Sequence, residues 1–167
     1  MLHALVADSK VVRVFAEAGD STVREVATFR NPNAAPHERD LVTDRPGRTL
    51  NTAANVHQAF EPRTSARRLT TQRWLKSLGP QLQAVLAAQN SEGVVLVAAA
   101  RLLPQLRSSL SPKARTLIRA ELARDLTKLP IDSLNKRLQP SLREVRRESA
   151  LQRPRVVRFA RTGAPAG

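Results

Sequence analysis

Val94-Val95-Leu96-Val97-Ala98-Ala99-Ala100, held between Gly93 and Arg101, is the stretch whose reading decides the fold. It is far shorter than the roughly 18 apolar residues a membrane span needs, and β-branched side chains dominate its start. It therefore reads as a strand. Because no polar residue alternates with the apolar ones, it predicts a central strand covered on both faces.

Upstream, Ser65–Asn90 reads as helix. Leu75, Leu78, Leu82, Val85 and Leu86 recur at spacings of three and four and mark one apolar face. Gly79-Pro80 interrupts that pattern and predicts a kink or break, with Pro80 opening a second segment. Residues 31–65 are polar and rich in Pro, Asn, Arg and Thr, a long connection of the kind that usually carries function or lacks structure. Before it, Leu2–Ala7, Val11–Glu17 and Thr22–Arg30 read as three strands with short connections, an antiparallel meander.

Downstream, Leu102–Leu110 reads as a short helix, and Ser111-Pro112 as an N-cap followed by proline at the first helical position. Residues 113–129 allow two readings. Local propensity favours helix over Lys113–Lys128, whereas Leu117–Leu122 suits a strand with Ile118, Ala120 and Leu122 on one side. Pro130 then opens a helix in which Ile131, Leu134 and Leu138 share a face, and residues 140–150 are compatible with its continuation. Three strands, helix, strand, helix, strand, helix predicts an α/β domain with a mixed sheet covered by helices, the order of the ribonuclease H-like fold. The expected organisation is a domain over residues 1–140 and a basic, flexible extension over 141–167.

The 167 residues suit one domain of ordinary size. With 3% aromatics the core has to be aliphatic. The absence of cysteine excludes disulfides, thiolate metal sites and a thiol nucleophile. No basic segment followed by a long apolar one opens the chain, so a cytoplasmic protein without membrane insertion is expected.

Charge is the strongest compositional signal. The net formal charge is +14, and Arg outnumbers Lys 23 to 5. Residues 1–62 carry a net charge of −1, whereas residues 63–167 carry +15 and so hold the whole excess. A GC-rich genome accounts for Arg over Lys but not for cations over anions. Such asymmetry points to a polyanionic partner.

Catalytic constellations are weak. A ribonuclease H-type nuclease needs several carboxylates clustered on central strands to hold divalent ions. Asp8, Glu25, Glu121 and Asp125 are acids near predicted strands, and Val94–Ala100 contributes none, so no convincing cluster assembles. In the loop, His37, Asp40 and Asp44 have N/O ligand chemistry, but a solvated loop with internal Asp–Arg pairs explains them as well. The three histidines, His3, His37 and His57, fit no hydrolase triad, and His3 reads as a packed strand residue. There is neither a nucleophile elbow nor a Gly-rich phosphate loop. No catalytic residue, metal or cofactor is assigned.

The basic segments carry more. Arg63, Arg67, Arg68, Arg73 and Lys76 occur with no acid between Arg63 and Asn90. On one helix Arg68, Gln72 and Lys76 share a face. A solvated face opposite the Leu stripe is the plain alternative. Toward the C-terminus, Arg143, Arg146, Arg147, Arg153, Arg155, Arg158 and Arg161 face only Glu144 and Glu148, and Phe159 interleaves as a stacking group. These positions are the candidate nucleic-acid contacts.

Some of these residues also form a recognisable pattern. Phe29–Arg48, with Asn31-Pro32 and then His37-Glu38-Arg39-Asp40-Leu41-Val42-Thr43-Asp44-Arg45-Pro46-Gly47-Arg48, resembles the signature of bacterial host attachment proteins. Glu61-Pro62-Arg63, Val94–Ala100 with Arg101-Leu102-Leu103, and Asp125-Leu126-Thr127-Lys128-Leu129-Pro130 add to the resemblance, which spans residues 2–140. It makes His37, Arg39, Asp40, Asp44, Arg45, Gly47 and Arg48 the motif loop. It implies kinship with the ribonuclease H-like middle domain of archaeal and eukaryotic class-one release factors, and favours the strand reading of Leu117–Leu122. It also implies a link to ribosomes, including hibernation factors. The Gly-Gly-Gln tip that release factors use is absent here. The reading expected is a non-enzymatic protein that binds the ribosome or structured RNA. The alternatives are attachment to host cells or surfaces without RNA binding, and a metal-dependent nuclease.

Overall fold

The computed structural model describes residues 1–19, 22–34 and 56–152, with the side chains of 56–64 excepted. Strands β1 (Leu2–Ala7), β2 (Val11–Glu17) and β3 (Val23–Arg30) come first. Helix α1 (Val56–Ala88), strand β4 (Gly93–Ala98), helices α2 (Leu103–Ser109) and α3 (Pro112–Arg115), strand β5 (Ile118–Ala123) and helix α4 (Ile131–Leu151) follow. The five strands form one sheet in the order β3-β2-β1-β4-β5. β1, β2 and β3 pair antiparallel in chain order, and β1, β4 and β5 run parallel. This is the mixed α/β, ribonuclease H-like arrangement expected from the element order.

The alternation of side chains along a strand sorts the core into two layers. Leu5, Ala7, Val12, Val14, Val94, Leu96 and Ala98 meet α1, α2 and α3 through Leu75, Leu78, Leu82, Leu106 and Leu110. Ala4, Val6, Phe15, Val95 and Val97 meet α4 on the other face through Leu134, Leu138, Leu142 and Val145. Every residue of β4 is buried, as its unbroken apolar run requires. β5, at the sheet edge, alternates half-buried and exposed, with Ile118, Ala120 and Leu122 turned inward.

The region of two readings therefore resolves into α3 followed by β5. Ser111 caps α3 as expected, its Oγ accepting from the Ala114 N–H at 3.1 Å. His3 is a buried strand residue.

Three expectations need correction. α1 starts at Val56, not Ser65, so the connection after β3 is shorter than 31–65. α1 also continues unbroken through Gly79-Pro80. Pro80 is on the solvent side, where water can serve the Lys76 carbonyl it leaves without a helical partner. Gly79 faces α2, and a Cβ there would collide with the Ser109 carbonyl oxygen. The glycine is thus a close-approach device rather than a breaker. Third, α4 runs past residue 140 and buries Leu142 and Val145, so the domain does not end there.

Candidate nucleic-acid interface

α1 is much longer than the sheet it covers. Its 33 residues span about 50 Å, whereas a six-residue strand spans about 20 Å. The chain leaves β3 at the edge where the parallel strands end and enters β4 at the opposite edge. α1 must therefore run antiparallel to β4, with its surplus at the N-terminal end. Burial agrees with this. From Thr71 to Leu86 the helix buries Thr71, Trp74, Leu75, Leu78, Leu82 and Leu86. Ser65 to Leu69 are all exposed, and five consecutive residues go right round a helix. That turn stands clear of the domain, beyond the carboxyl ends of β1, β4 and β5.

Arg67, Arg68, Arg73 and Lys76 are exposed on and just below this free turn. None makes an ion pair or hydrogen bond with another described residue, unlike Arg13, Arg107 and Arg146. Arg68, Gln72 and Lys76 line one exposed face, as their spacing predicts. The side chain of Arg63 lies outside the described residues.

The second basic group is elsewhere. α4 occupies the opposite layer of the sheet, so its arginines do not extend the α1 surface. Arg146 Nη2 lies 2.7 Å from Oε2 of the buried Glu17, too obliquely for a hydrogen bond, and its charge is offset by that carboxylate. Arg143 and Arg147 are exposed. Arg153, Arg155, Arg158 and the motif-loop residues His37, Arg39, Asp40, Asp44, Arg45, Gly47 and Arg48 lie outside the described residues.

The strand acids do not gather. Arg13 holds Glu25, and the Arg107 guanidinium holds Glu121. Asp8 caps the β1–β2 turn, its Oδ1 accepting from the Lys10 and Val11 amides at 2.7 Å. The Thr127 hydroxyl lies 2.8 Å from Asp8 Oδ2 and 2.7 Å from Asp125 Oδ1. No three His, Cys, Asp or Glu residues converge on a metal-sized space among the described residues.

Sequence reasoning missed Arg13. Its Nη1 donates to the carbonyls of Thr127 and Leu129 at 3.0 and 3.1 Å, and its Nε and Nη2 reach Glu25. Arg13 thereby ties the segment after β5 to β2 and β3. The neighbouring guanidinium and the Thr28 hydroxyl hold the Glu25 carboxyl below its ordinary value, although desolvation opposes them. Its signals were a charged residue inside an alternating strand and the fit of Arg13-Val14-Phe15 to the family pattern.

Comparison with known proteins adds the family. A family model described as "Protein required for attachment to host cells" matches residues 4–138. The chain belongs to that family. No curated protein matches the sequence. Among solved structures, this host-attachment chain is similar to an archaeal translation termination factor, aRF1, at 9% identity and a TM-score of 0.45. The overlap covers 90% of this chain and 41% of that one. A structure titled "Archaeal protein" matches at 9% identity and a TM-score of 0.44, over 90% and 40% of the two chains. The host-attachment chain thus spans about two fifths of the length of either structure. No helix among the described residues is long and apolar enough to cross a membrane.

Proposed function

We propose that this host-attachment family member is a non-enzymatic RNA-binding protein of the cytoplasm, with ribosomal RNA as its target. The observation that carries the reading is the projecting part of α1. Arg67 and Arg68 sit on it, and Arg73 and Lys76 on the exposed face just below it, without anionic partners among the described residues, in a sequence free of acids from Arg63 to Asn90. Like charges this close along a helix repel one another, and a phosphate backbone converts that cost into attraction. Arginine's fork suits phosphate oxygens, and a slim basic helix suits a cleft in folded RNA. A role in translation or in ribosome hibernation follows if the target is the ribosome.

Co-sedimentation with ribosomes at rising salt tests the reading. The protein should pellet with ribosomes at low ionic strength and leave them progressively as salt competes for phosphate. Protein that stays in the supernatant at every salt concentration contradicts it.

The family description favours a second reading, attachment to host cells. A projecting basic helix also suits an anionic polymer at a surface. Fractionation separates the two, because the attachment reading places the protein at the cell surface and the RNA reading places it with ribosomes. Magnesium-dependent RNA cleavage lost in Asp8→Ala would point to the nuclease alternative instead.

A further inference from the structure

The ends of the strands build a second site, at the end of the sheet beyond which α1 projects but lined by no residue of α1. β1, β4 and β5 end at one edge of the sheet, where β2 also begins and β3 also ends. A cleft of roughly 400 Å³ opens there between the β1–β2 turn, the end of β3 and the segment after β5. That volume suits a small ligand. The cleft lies beside the carboxyl end of β1, on the side of the antiparallel strands β2 and β3.

The chemistry of the cleft is specific. Its Arg13 and Glu25 satisfy each other, so they leave little net charge. Lys10, Arg30 and Lys128 also line it, and their side chains make no hydrogen bond or ion pair with a described residue. Arg30 helps to hold Glu25 ionised at longer range. The lining therefore carries three cations without partners among the described residues.

Among its other polar groups is the Asp8 carboxylate. Thr127 Oγ lies within hydrogen-bond distance of Asp8 Oδ2 and of Asp125 Oδ1, but a hydroxyl has a single proton to donate. Asp125 Oδ1 also accepts from the Thr127 amide at 3.2 Å, whereas Asp8 Oδ2 has only the shared hydroxyl among the described residues. When Thr127 turns to Asp125, Asp8 Oδ2 is an open acceptor facing the cleft.

From these groups we infer that the cleft binds a small phosphorylated polyol, of the sugar phosphate or ribonucleotide class. The phosphate meets Lys10, Arg30 and Lys128, and a sugar hydroxyl donates to Asp8 Oδ2. A bare anion leaves the acceptor unused, and a cationic ligand is repelled by the three basic groups. This site does not depend on the RNA reading of α1.

Titration calorimetry on the full chain at low ionic strength tests the assignment, with ribose 5-phosphate, AMP and inorganic phosphate as probes. Ribose 5-phosphate should bind one to one, about tenfold tighter than inorganic phosphate, as one added charge-assisted hydrogen bond implies. The double variant Lys10→Ala/Lys128→Ala should weaken every probe by about tenfold or more. Asp8→Asn keeps an oxygen for the turn amides, and should weaken ribose 5-phosphate while leaving inorganic phosphate unchanged. Arg67→Ala/Arg68→Ala should change none of them. If AMP binds and ribose 5-phosphate does not, the ligand is a nucleotide within the same class. The assignment is overturned if no probe saturates, if Lys10→Ala/Lys128→Ala binds like the unmodified chain, or if Arg67→Ala/Arg68→Ala abolishes binding.

Discussion

Arg13 and Thr127 are 114 residues apart, yet Arg13 Nη1 donates to the Thr127 carbonyl oxygen at 3.0 Å. The same nitrogen reaches the Leu129 carbonyl, and the rest of the guanidinium holds Glu25. One side chain on β2 thus fixes the entry to α4. Arg13→Ala should cost about 2–3 kcal/mol, because it strips a charged donor from several acceptors at once. A urea midpoint measurement checks this. A loss below about 0.5 kcal/mol would show that the segment after β5 is held by other contacts.

The buried His3 supplies a pH dependence. Ser91 Oγ lies 3.2 Å from the Gly93 carbonyl oxygen, to which it donates, so it accepts from His3 Nδ1–H at 2.9 Å. His3 Nε2 is left buried without a hydrogen-bond partner among the described residues. Burial, and then the nearby N-terminal ammonium, push the imidazole below its ordinary value of 6.5. The neutral form is therefore the folded form. The unfolded chain takes up the proton first, so this contribution is complete above pH 6.5 and is lost as pH falls through the folded value. Stability against pH should fall less steeply below 6.5 in His3→Leu than in the unmodified chain. Equal slopes would mean that His3 titrates alike in both states.

Gly79 sets the approach of α1 and α2. Alanine is better than glycine in a helix by about 1 kcal/mol, but its Cβ would meet the Ser109 carbonyl oxygen. That atom is backbone and cannot swing aside, so overpacking should win, with a net loss of about 1–2 kcal/mol. Chemical denaturation of Gly79→Ala reads the sign, and a stabilised variant would show that α2 can shift at no cost.

Leu142 tests where the domain ends. It is fully buried against the sheet although it lies beyond residue 140. Leu142→Ala should cost about 2–5 kcal/mol, the usual range for a leucine cut back inside a core. A near-neutral result would place the end of the domain before it.

Patterns within single elements made most of the fold legible. β4 was visible because its apolar run has no alternation, whereas the alternation of Ile118, Ala120 and Leu122 left β5 as one of two readings that only the family resemblance tipped toward strand. Pro80 misled because proline's cost depends on whether water can reach the carbonyl it abandons, which local sequence does not state. The charge on α1 was also plain, but its projection was not. That follows from comparing a helix length with a strand length once the helix start at Val56 is known. The cleft was hidden because Asp8, Lys10, Arg30 and Thr127 meet only after strand directions are fixed. Asp125-Leu126-Thr127-Lys128 stood out as a family pattern without revealing that Thr127 lies between two carboxylates.

The salt dependence of RNA affinity addresses the central claim most directly. The unmodified chain and a variant with Arg67, Arg68, Arg73 and Lys76 all changed to alanine would be titrated with ribosomal RNA from low to near-physiological salt. All four side chains are exposed, so the fold should persist. Affinity of the unmodified chain should fall linearly on a log–log plot. The variant should bind more weakly, with a slope shallower by about 3, at roughly 0.7–0.9 for each phosphate that is no longer neutralised. Equal slopes and affinities for the two proteins, or no RNA binding by the unmodified chain, would contradict the assignment of α1 to phosphate recognition.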